Sequence, residues 1–527
     1  MRFIFLLVFI SIACLLKAET ALYFQNNTPL AFTVSATQYG PHTMSSGEWG
    51  QMATAITAWQ PETELMWTNR NSGIHNGTDF FFDVKLHSGT DSVTLKIKLN
   101  GNFSGSDMWQ SASGPGFSHP WYGDNSFHQA TFQMGGKTYT LKYEAYFTGG
   151  FDDLLFALQE HDPFPANWAD TLQSNILNVL SYNIYMLTPP ISNTDQSDRA
   201  KEIPNHIEGY DVVIFNEAFY NSARDNDLIP GIQSYYPHYT PVVDDGTFND
   251  DGGVFIASHW PIDTFAQIVY NDCNGSDCLA AKGVMYARID KLGKKYHVFG
   301  THTQAWPGAS DVATRILQFK QLNQFIQDLN IPNTEPVIIG GDLNVDKIAN
   351  NLNEYNGMLD TLDALEPTYL GHPYTYDGNI NYYGSSPPVE FLDYVLTTNT
   401  HQIPTTSTNE VLIYRSIADD VWDIFDLSDH FAVRGRFVFP VLTAVEEVVE
   451  AKVELNIYPN PTTGILNVEL PSNEGYLQLY NNLGQAVQQW SAIDSKIILD
   501  LRGYPQGVYY LEWNDGKQQS SQKLMLY

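Results

Sequence analysis

Basic residues are scarce in this sequence. It has 27 Lys and Arg against 59 Asp and Glu, a net charge of −32 over 527 residues. Nonspecific binding to nucleic acid works by neutralising phosphates with Lys and Arg, so this balance argues against a nucleic-acid partner. It does not exclude a single-phosphate substrate held at a metal site. Cysteine is scarcer still, at three. Cys14 falls in the apolar start of the chain, which leaves Cys273 and Cys278. Two close cysteines in an exported chain suggest one disulfide, and no further Cys or paired His lies near enough to make a zinc site. The loop between them is short, so the expected stabilisation is modest, about 2 kcal/mol. Beyond the N-terminus no stretch is long and apolar enough to span a bilayer.

The opening residues 1–18, MRFIFLLVFISIACLLKA, combine Arg2, an apolar stretch and Ala18 as a cleavage position. That is the pattern of a secretory signal peptide, and the apolar run is short for a membrane anchor. The remaining chain is long enough to predict several domains.

Residues 19–160 alternate in FFFDVKL, VTLKIKL and TYTLKYEAYF, with Gly, Asn and Ser turns and no sustained helical period. An N-terminal all-β sandwich is expected. It is rich in Trp (Trp49, Trp59, Trp67, Trp109, Trp121), as either core or a surface that touches lipid or carbohydrate. Its pattern resembles lipid-binding sandwiches of the aegerolysin and actinoporin kind. The proline-bearing stretch 161–171 reads as a linker. Over 172–440, apolar strands alternate with helical stretches, which predicts two packed sheets flanked by helices, an α/β four-layer sandwich. In ATRILQFKQLNQFIQDL, Ile316, Phe319, Leu322 and Phe325 fall on one helical face. Residues 441–454 read as a second linker, and 455–527 as a small C-terminal β-sandwich.

Polar residues interrupt the ends of several central strands. In VIIGGDLNVD, a β-branched run suits a strand buried on both faces. Gly340 and Gly341 let the backbone turn. Asp342 and Asn344, two apart, share a side if the strand stays extended. Asn183 lies in SYN, Glu217 in FNEAF, His302 in GTHTQ, Asp393 in LDY, and Asp429 and His430 in SDHFAV. Oxygen ligands such as Glu217 suit Mg²⁺. Two histidines supply a base for water and an acid for a leaving group, and a carboxylate such as Asp393 fixes the tautomer of His430. Together these groups permit phosphodiester hydrolysis.

On SYNIY, NEAF, GTHTQ, GGDLNV, LDYV and SDHFAV, the middle domain resembles the endonuclease/exonuclease/phosphatase superfamily. On GGVFIASHWPI, DCNGSDCLAAKGVMYARI and PYTYDGNINYYGSSPPVEFLDYVL it is similar to the secreted bacterial neutral sphingomyelinases. The resemblance implies a Mg²⁺-dependent, phospholipase C-type cleavage of sphingomyelin to ceramide and phosphocholine. It implies one or two ions, with other divalent cations able to substitute. It casts Glu217 as metal ligand, with Asn183 ligating or beside it and Asp429 contributing. His430 is the general base, held by Asp393. Asp342 orients the attacking water or binds a second metal, Asn344 holds phosphate, and His302 serves the leaving group, with Asp251 as its support. Asn216 stands where many members have Gln. YPNPTTG, LYNNLGQAV and GVYYLEW resemble a type IX secretion sorting domain, which implies export by that machinery and possible removal of the module.

The alternatives are another phospholipase C, a nuclease of the same superfamily, or a toxin-like membrane binder. The expected partner is a sphingomyelin-containing membrane, met through Trp306, Tyr382 and Tyr383 beside the site. A secreted monomer is expected.

Overall fold

The computed structural model describes residues 19–441 and 455–527, apart from 71–73, 103–104, 147–151, 162–171, 190, 193, 247–249, 350–351, 386–388, 471–472, 492–493 and 517. The expected signal peptide and nearly all of both expected linkers lie outside the described residues. The described chain falls into two compact units, divided after Pro440.

The first unit begins with two six-stranded sheets. One contains Glu19–Asn27, Thr63–Asn69, Lys137–Tyr146 and Asp153–Glu160; the other contains Phe32–Tyr39, Asp79–Ser88, Asp91–Asn102 and Gly105–Gly114. Alternate residues of each strand, among them Leu22, Phe24, Phe82, Val84, Ile97 and Phe156, meet in one core. The strand Asp153–Glu160 is buried on both faces. Its other face, Leu155 and Ala157, packs on Phe425 from the later part of the same unit. Lys142 fastens this contact. Its ammonium donates to Ile417 O at 2.6 Å and Asp419 Oδ1 at 2.5 Å and lies 4.0 Å from the centre of the Phe127 ring. Arg415 donates to Trp59 O at 2.9 Å, so Trp59 belongs to this junction and packs on the middle core.

Glu144 stands on the same face. Burial pushes its carboxyl up to about 7, with Asp423 and Asp419 adding to the shift and Lys142 opposing it. A carboxyl raised above its unfolded value of 4.5 binds its proton more tightly when folded. Its contribution to stability is therefore most favourable below pH 4.5 and is lost as pH rises through 4.5 to 7. Glu144→Gln is expected to raise Tm by roughly 1–3 °C at pH 8 and to leave it unchanged at pH 4.5. Calorimetry at both values decides it, and equal shifts at the two would refute the assignment.

The rest of the first unit pairs a seven-stranded sheet with a six-stranded sheet face to face. Val212 and Ile214 point between the sheets, whereas Val213 and Phe215 point outward into a second core with Ala200, Ile203 and Ile232. Helix Ala309–Asp328 covers the outer face of the other sheet, where Phe325 meets Tyr286 and Phe299 edge-on. Ile316 corrects the expected stripe: it is exposed, and Arg315 and Gln318 take buried places. They do so because this first half of the helix holds the loop after His302. Arg315 donates to Gln304 O and Trp306 O, and Gln318 accepts from Gln304 N. Gly340 and Gly341 also differ from expectation. Both lie inside the strand Val337–Asp342. A Cβ on Gly341 would fall 1.8 Å from Thr301 O, and one on Gly340 would fall 2.6 Å from Ile214 of the facing sheet. They serve close approach, not a turn.

The second unit has sheets of three and four strands over a core that includes Leu466, Val468, Leu477, Leu511 and Trp513. Among the described residues no helix is long and apolar enough to cross a membrane.

Candidate active site

The central strands of both middle sheets end at one place, and strand register puts the polar residues in line. His302 ends Lys294–His302 and pairs directly with Asp342, which ends Val337–Asp342. Asp342 pairs in turn with Asp393, which begins Asp393–Thr398. In the facing sheet Asn183 pairs with Asn216, and Glu217 comes next with a left-handed φ of 55°. A non-glycine residue there needs outside support. Ala218 N donates to Gly253 O, and Met186 N donates to Glu217 O, each at 3.0 Å.

Asp342 Oδ2 is the centre. It lies 3.7 Å from His302 Nε2 and 3.8 Å from His430 Nε2, and it accepts from Asn183 Nδ2 at 3.1 Å. Glu217 Oε1 is 3.8 Å from His302 Nε2. His430 Nδ1 sits 2.8 Å from Asp393 Oδ2, and its ring lies against Tyr376. Burial opposes protonation of His430, but Asp393, Asp429 and Asp342 together push its pKa well above the ordinary value. Burial, Lys282 and His430 hold His302 well below the ordinary value. Asn344 is not reached by continuing the strand. Its φ is 51°, its N–H donates to Asp342 Oδ1 at 3.0 Å, and its amide donates to Thr303 O at 3.2 Å. A turn brings the pair together.

Other residues hold these in place. Arg199 is buried and donates to Ile184 O, Tyr185 O and Leu427 O, which joins the loop after Asn183 to the one carrying Asp429 and His430. Asn216 ties the sheets through Thr301 O and the Asp342 N–H. Lys282 spends its three N–H donors on Asp277 Oδ2, Thr303 O and His302 Nε2, at 2.7, 2.9 and 3.2 Å. Asp277 also accepts from Ala305 N, next to exposed Trp306. Asp277 lies inside the loop closed by the Cys273–Cys278 disulfide. Arg199 carries no motif, and Asp277 and Lys282 fall inside DCNGSDCLAAKGVMYARI, which does not by itself point to His302. Within that stretch the signal is a Lys placed between alanines and a glycine, in AAKG, in a chain with few Lys. Asp251 does not support His302. It pairs with Arg224 at 2.7 Å and accepts from Gly253 N, so it braces the Glu217 turn. Tyr383 is also corrected. Its hydroxyl donates to Thr194 O and its ring packs on Arg199, which leaves Trp306 at 65% and Tyr382 at 62% as the more exposed rings, Tyr382 edge-on to Tyr383.

The donor set fits a divalent cation. Glu217, His302 and Asp342 can place one ligand atom each within 4.8 Å of the others. Glu217 Oε2 is buried with no hydrogen-bond partner among the described residues. Burial, then Asp429, push Glu217 up to about 7; burial, then Asp393, do the same to Asp342. Carboxylates so crowded call for a positive charge, and oxygen donors suit a hard ion.

Residues 180–430 match the Endonuclease/Exonuclease/phosphatase family. Sphingomyelinase C of Bacillus cereus is 39% identical over 272 residues, which cover 46% of this chain and 81% of the relative. The chain belongs to that family, among its sphingomyelinases C. Phospholipase C of Staphylococcus aureus is 36% identical, over 49% of this chain and 86% of the relative. A crystal structure of sphingomyelinase C from Streptomyces griseocarneus is 34% identical, covers 50% of this chain and 99% of that one, and gives a TM-score of 0.46. Residues 456–527 match the secretion system C-terminal sorting domain, so the protein is marked for secretion or the cell surface.

Proposed function

We propose that the protein hydrolyses sphingomyelin to ceramide and phosphocholine. The observation that carries this reading is the placing of two histidines on either side of Asp342 Oδ2, one of them backed by Asp393. Glu217 would hold a divalent cation, Mg²⁺ in this reading, with Asn183 and Asp429 beside it. When bound, the ion neutralises charge on the phosphoryl and leaving oxygens. Asp342 orients the attacking water or takes a second ion. With a cation offsetting the carboxylates that favour its charged form, His430 would be neutral and would accept the proton of that water while Asp393 holds the Nδ1 side of its ring. Asn344 donates to phosphate. His302 faces the leaving oxygen, and the Lys282 ammonium keeps a proton at hand there.

In the same reading 19–160, 172–440 and 455–527 are separate domains, the last addressed to the type IX machinery, and the secreted enzyme is a monomer. Phosphocholine release from sphingomyelin and phosphatidylcholine, and strand cleavage of DNA, should be assayed with and without Mg²⁺. Sphingomyelin cleavage that needs the cation is expected. Cleavage of phosphatidylcholine alone would make it another phospholipase C, cleavage of DNA a nuclease, and vesicle binding without cleavage a toxin-like binder.

Lys282→Met is expected to lower kcat by roughly tenfold with KM little changed, because it removes a charged hydrogen bond to His302 and no contact to the head group. Steady-state kinetics check it, and an unchanged kcat removes Lys282 from the site.

Trp306 and Tyr382 stand at the mouth with their rings exposed. Each ring can lay an apolar body in the interface. Trp306→Ala and Tyr382→Ala are each expected to weaken binding to sphingomyelin vesicles by roughly tenfold. Hydrolysis of a soluble phosphocholine ester should be nearly unchanged. Equal losses on both substrates would place the membrane contact elsewhere.

A further inference from the structure

We infer that the N-terminal pair of sheets is a positioning device for the reaction, acting on His430 through Trp59, Arg415 and Asp426. The inference rests on the reading of His430 as the base that takes a proton from water.

The path of the chain sets this up. Thr406–Leu412 and Ala432–Val438 are paired neighbours in the seven-stranded sheet. Between them the chain makes an excursion to the N-terminal sheets, and Asp429 and His430 lie on its returning limb. Lys142 holds the outer part by donating to Ile417 O and Asp419, and Phe425 packs on Leu155 and Ala157. Trp422 meets Phe127 edge-on, and the Lys142 ammonium lies over both rings. Ser416 and Val421 tie the excursion to the outer core as well, so its fold does not depend on the N-terminal sheets alone.

Arg415 and Asp426 close the neck of the excursion. They pair across it as an antiparallel bridge, and both are buried. The guanidinium of Arg415 divides among separate segments. Its Nε donates to Asp426 Oδ1 at 2.6 Å, Nη1 to Trp59 O at 2.9 Å, and Nη2 to Ile380 O. The second oxygen of Asp426 accepts from Tyr382 N at 2.8 Å. One buried ion pair therefore ties together a turn of the N-terminal sheets, the loop that carries Tyr382 and the limb that carries His430.

From there the ties run to the base itself. Asn381 Nδ2 donates to Ser428 O at 2.8 Å. Ser428 Oγ donates to Asn183 O at 2.7 Å and accepts from His430 N at 3.2 Å. Phe431 N donates to Thr375 O at 2.7 Å, and the Tyr376 ring lies 5.5 Å from that of His430. Both flanks of His430 are built from segments that the Arg415 fork holds.

The N-terminal end of the tie is fixed by its own strand. Trp59 has a left-handed φ of 58°, which a tryptophan keeps only with outside support. Its N–H donates to Thr28 O at 2.9 Å, and Gln60 O accepts from Asn26 N at 3.1 Å. The buried Asn26 amide donates to Thr57 O at 2.7 Å. The turn 57–60 is thereby anchored to Glu19–Asn27 and points its carbonyl at Arg415. A base displaced by about 1 Å can cost on the order of 10²-fold in rate, so a tie of this kind bears on kcat.

The test uses the full secreted protein and variants that loosen the junction at different places. Arg415→Lys keeps the charge beside Asp426, but its single ammonium cannot reproduce the fork. Lys142→Met frees the outer part and strands no charge, since Asp419 is exposed. Trp59→Ala removes the ring that packs on the neighbouring core and loosens the turn. Hydrogen exchange is expected to be about fivefold faster or more in peptides covering 380–383 and 426–431, and unchanged in the strand 297–302. On a soluble phosphocholine ester, kcat is expected to fall roughly tenfold in Arg415→Lys and about threefold in the other two, with KM little changed. In a His430→Ala background Arg415→Lys should cost nothing more, because no base is left to position. A merely structural role would multiply the losses in that background and speed exchange throughout. Lys142→Met and Trp59→Ala keep the test decisive if Arg415→Lys fails to fold. The proposal is overturned if both leave kcat unchanged, or if the losses multiply with His430→Ala. A natural chain that cleaves no phosphocholine ester would refute the functional reading instead, and unchanged exchange at 426–431 would then overturn the tie.

Discussion

Glu217→Gln is expected to lower sphingomyelin hydrolysis by at least ~10²-fold, because the amide cannot supply the charge that holds a hard cation. The fold should not suffer. Without the ion, Glu217 is partly buried beside Asp429 and Asp342 and its carboxyl is pushed up to about 7 by burial and then Asp429. A neutral isostere removes that repulsion, so Tm in chelator should be equal to or above that of the natural chain. Adding Mg²⁺ should raise the Tm of the natural chain, as any ligand bound only to the native state does, and should not raise that of the variant. A Glu217→Gln protein with full activity at saturating Mg²⁺ would remove Glu217 from the metal site. A variant that still gains Tm with Mg²⁺ would move the ion to other ligands.

The site is legible in the sequence because each polar residue breaks an apolar strand. VIIGGD announces a strand buried on both faces, and a carboxylate at its end has few bland uses. Asn183, Glu217, His302, Asp393 and His430 repeat that signal, and the structure brings all of them to Asp342. What the sequence hides is side-chain reach between distant segments. Lys282 meets His302 through a strand pairing that spans 20 residues, and Arg199 reaches Leu427 across 228. Neither separation has a period or a motif.

Errors of expectation have the same origin. Asn344 shares a side with Asp342 only if the strand continues, but the strand stops at Asp342 and an Asx contact takes over. Ile316 sits at helical spacing, but tertiary demand puts Arg315 inward to cap the carbonyls of the His302 loop. Tyr383 reads as one of an exposed pair, yet its ring lies against Arg199 and only Tyr382 stays largely exposed. The junction through Lys142, Phe425 and Trp59 joins two stretches that composition separates at a proline-rich segment.

His430→Ala is expected to lower kcat by at least ~10²-fold, and His302→Ala similarly, the usual scale for a general base or acid. Asp393→Asn tests the pair more sharply. The carboxylate accepts from His430 Nδ1 at 2.8 Å and lies in a strand fixed by pairing with Asp342 and by Thr375 Oγ1, which accepts from Asp393 N at 3.2 Å. Asn keeps the shape and backbone contacts, but its amide can present N–H to the ring and favour the tautomer with the proton on Nε2. That tautomer cannot take a proton from water at Nε2. The expected result is a loss of kcat on the order of 10²-fold with KM nearly unchanged, since neither residue is assigned to the head group. If Asp393 acts only by holding His430, the double variant His430→Ala with Asp393→Asn should be no slower than His430→Ala alone. Multiplying losses would mean that Asp393 has a second task at the site. A change confined to KM would reassign His430 to substrate binding.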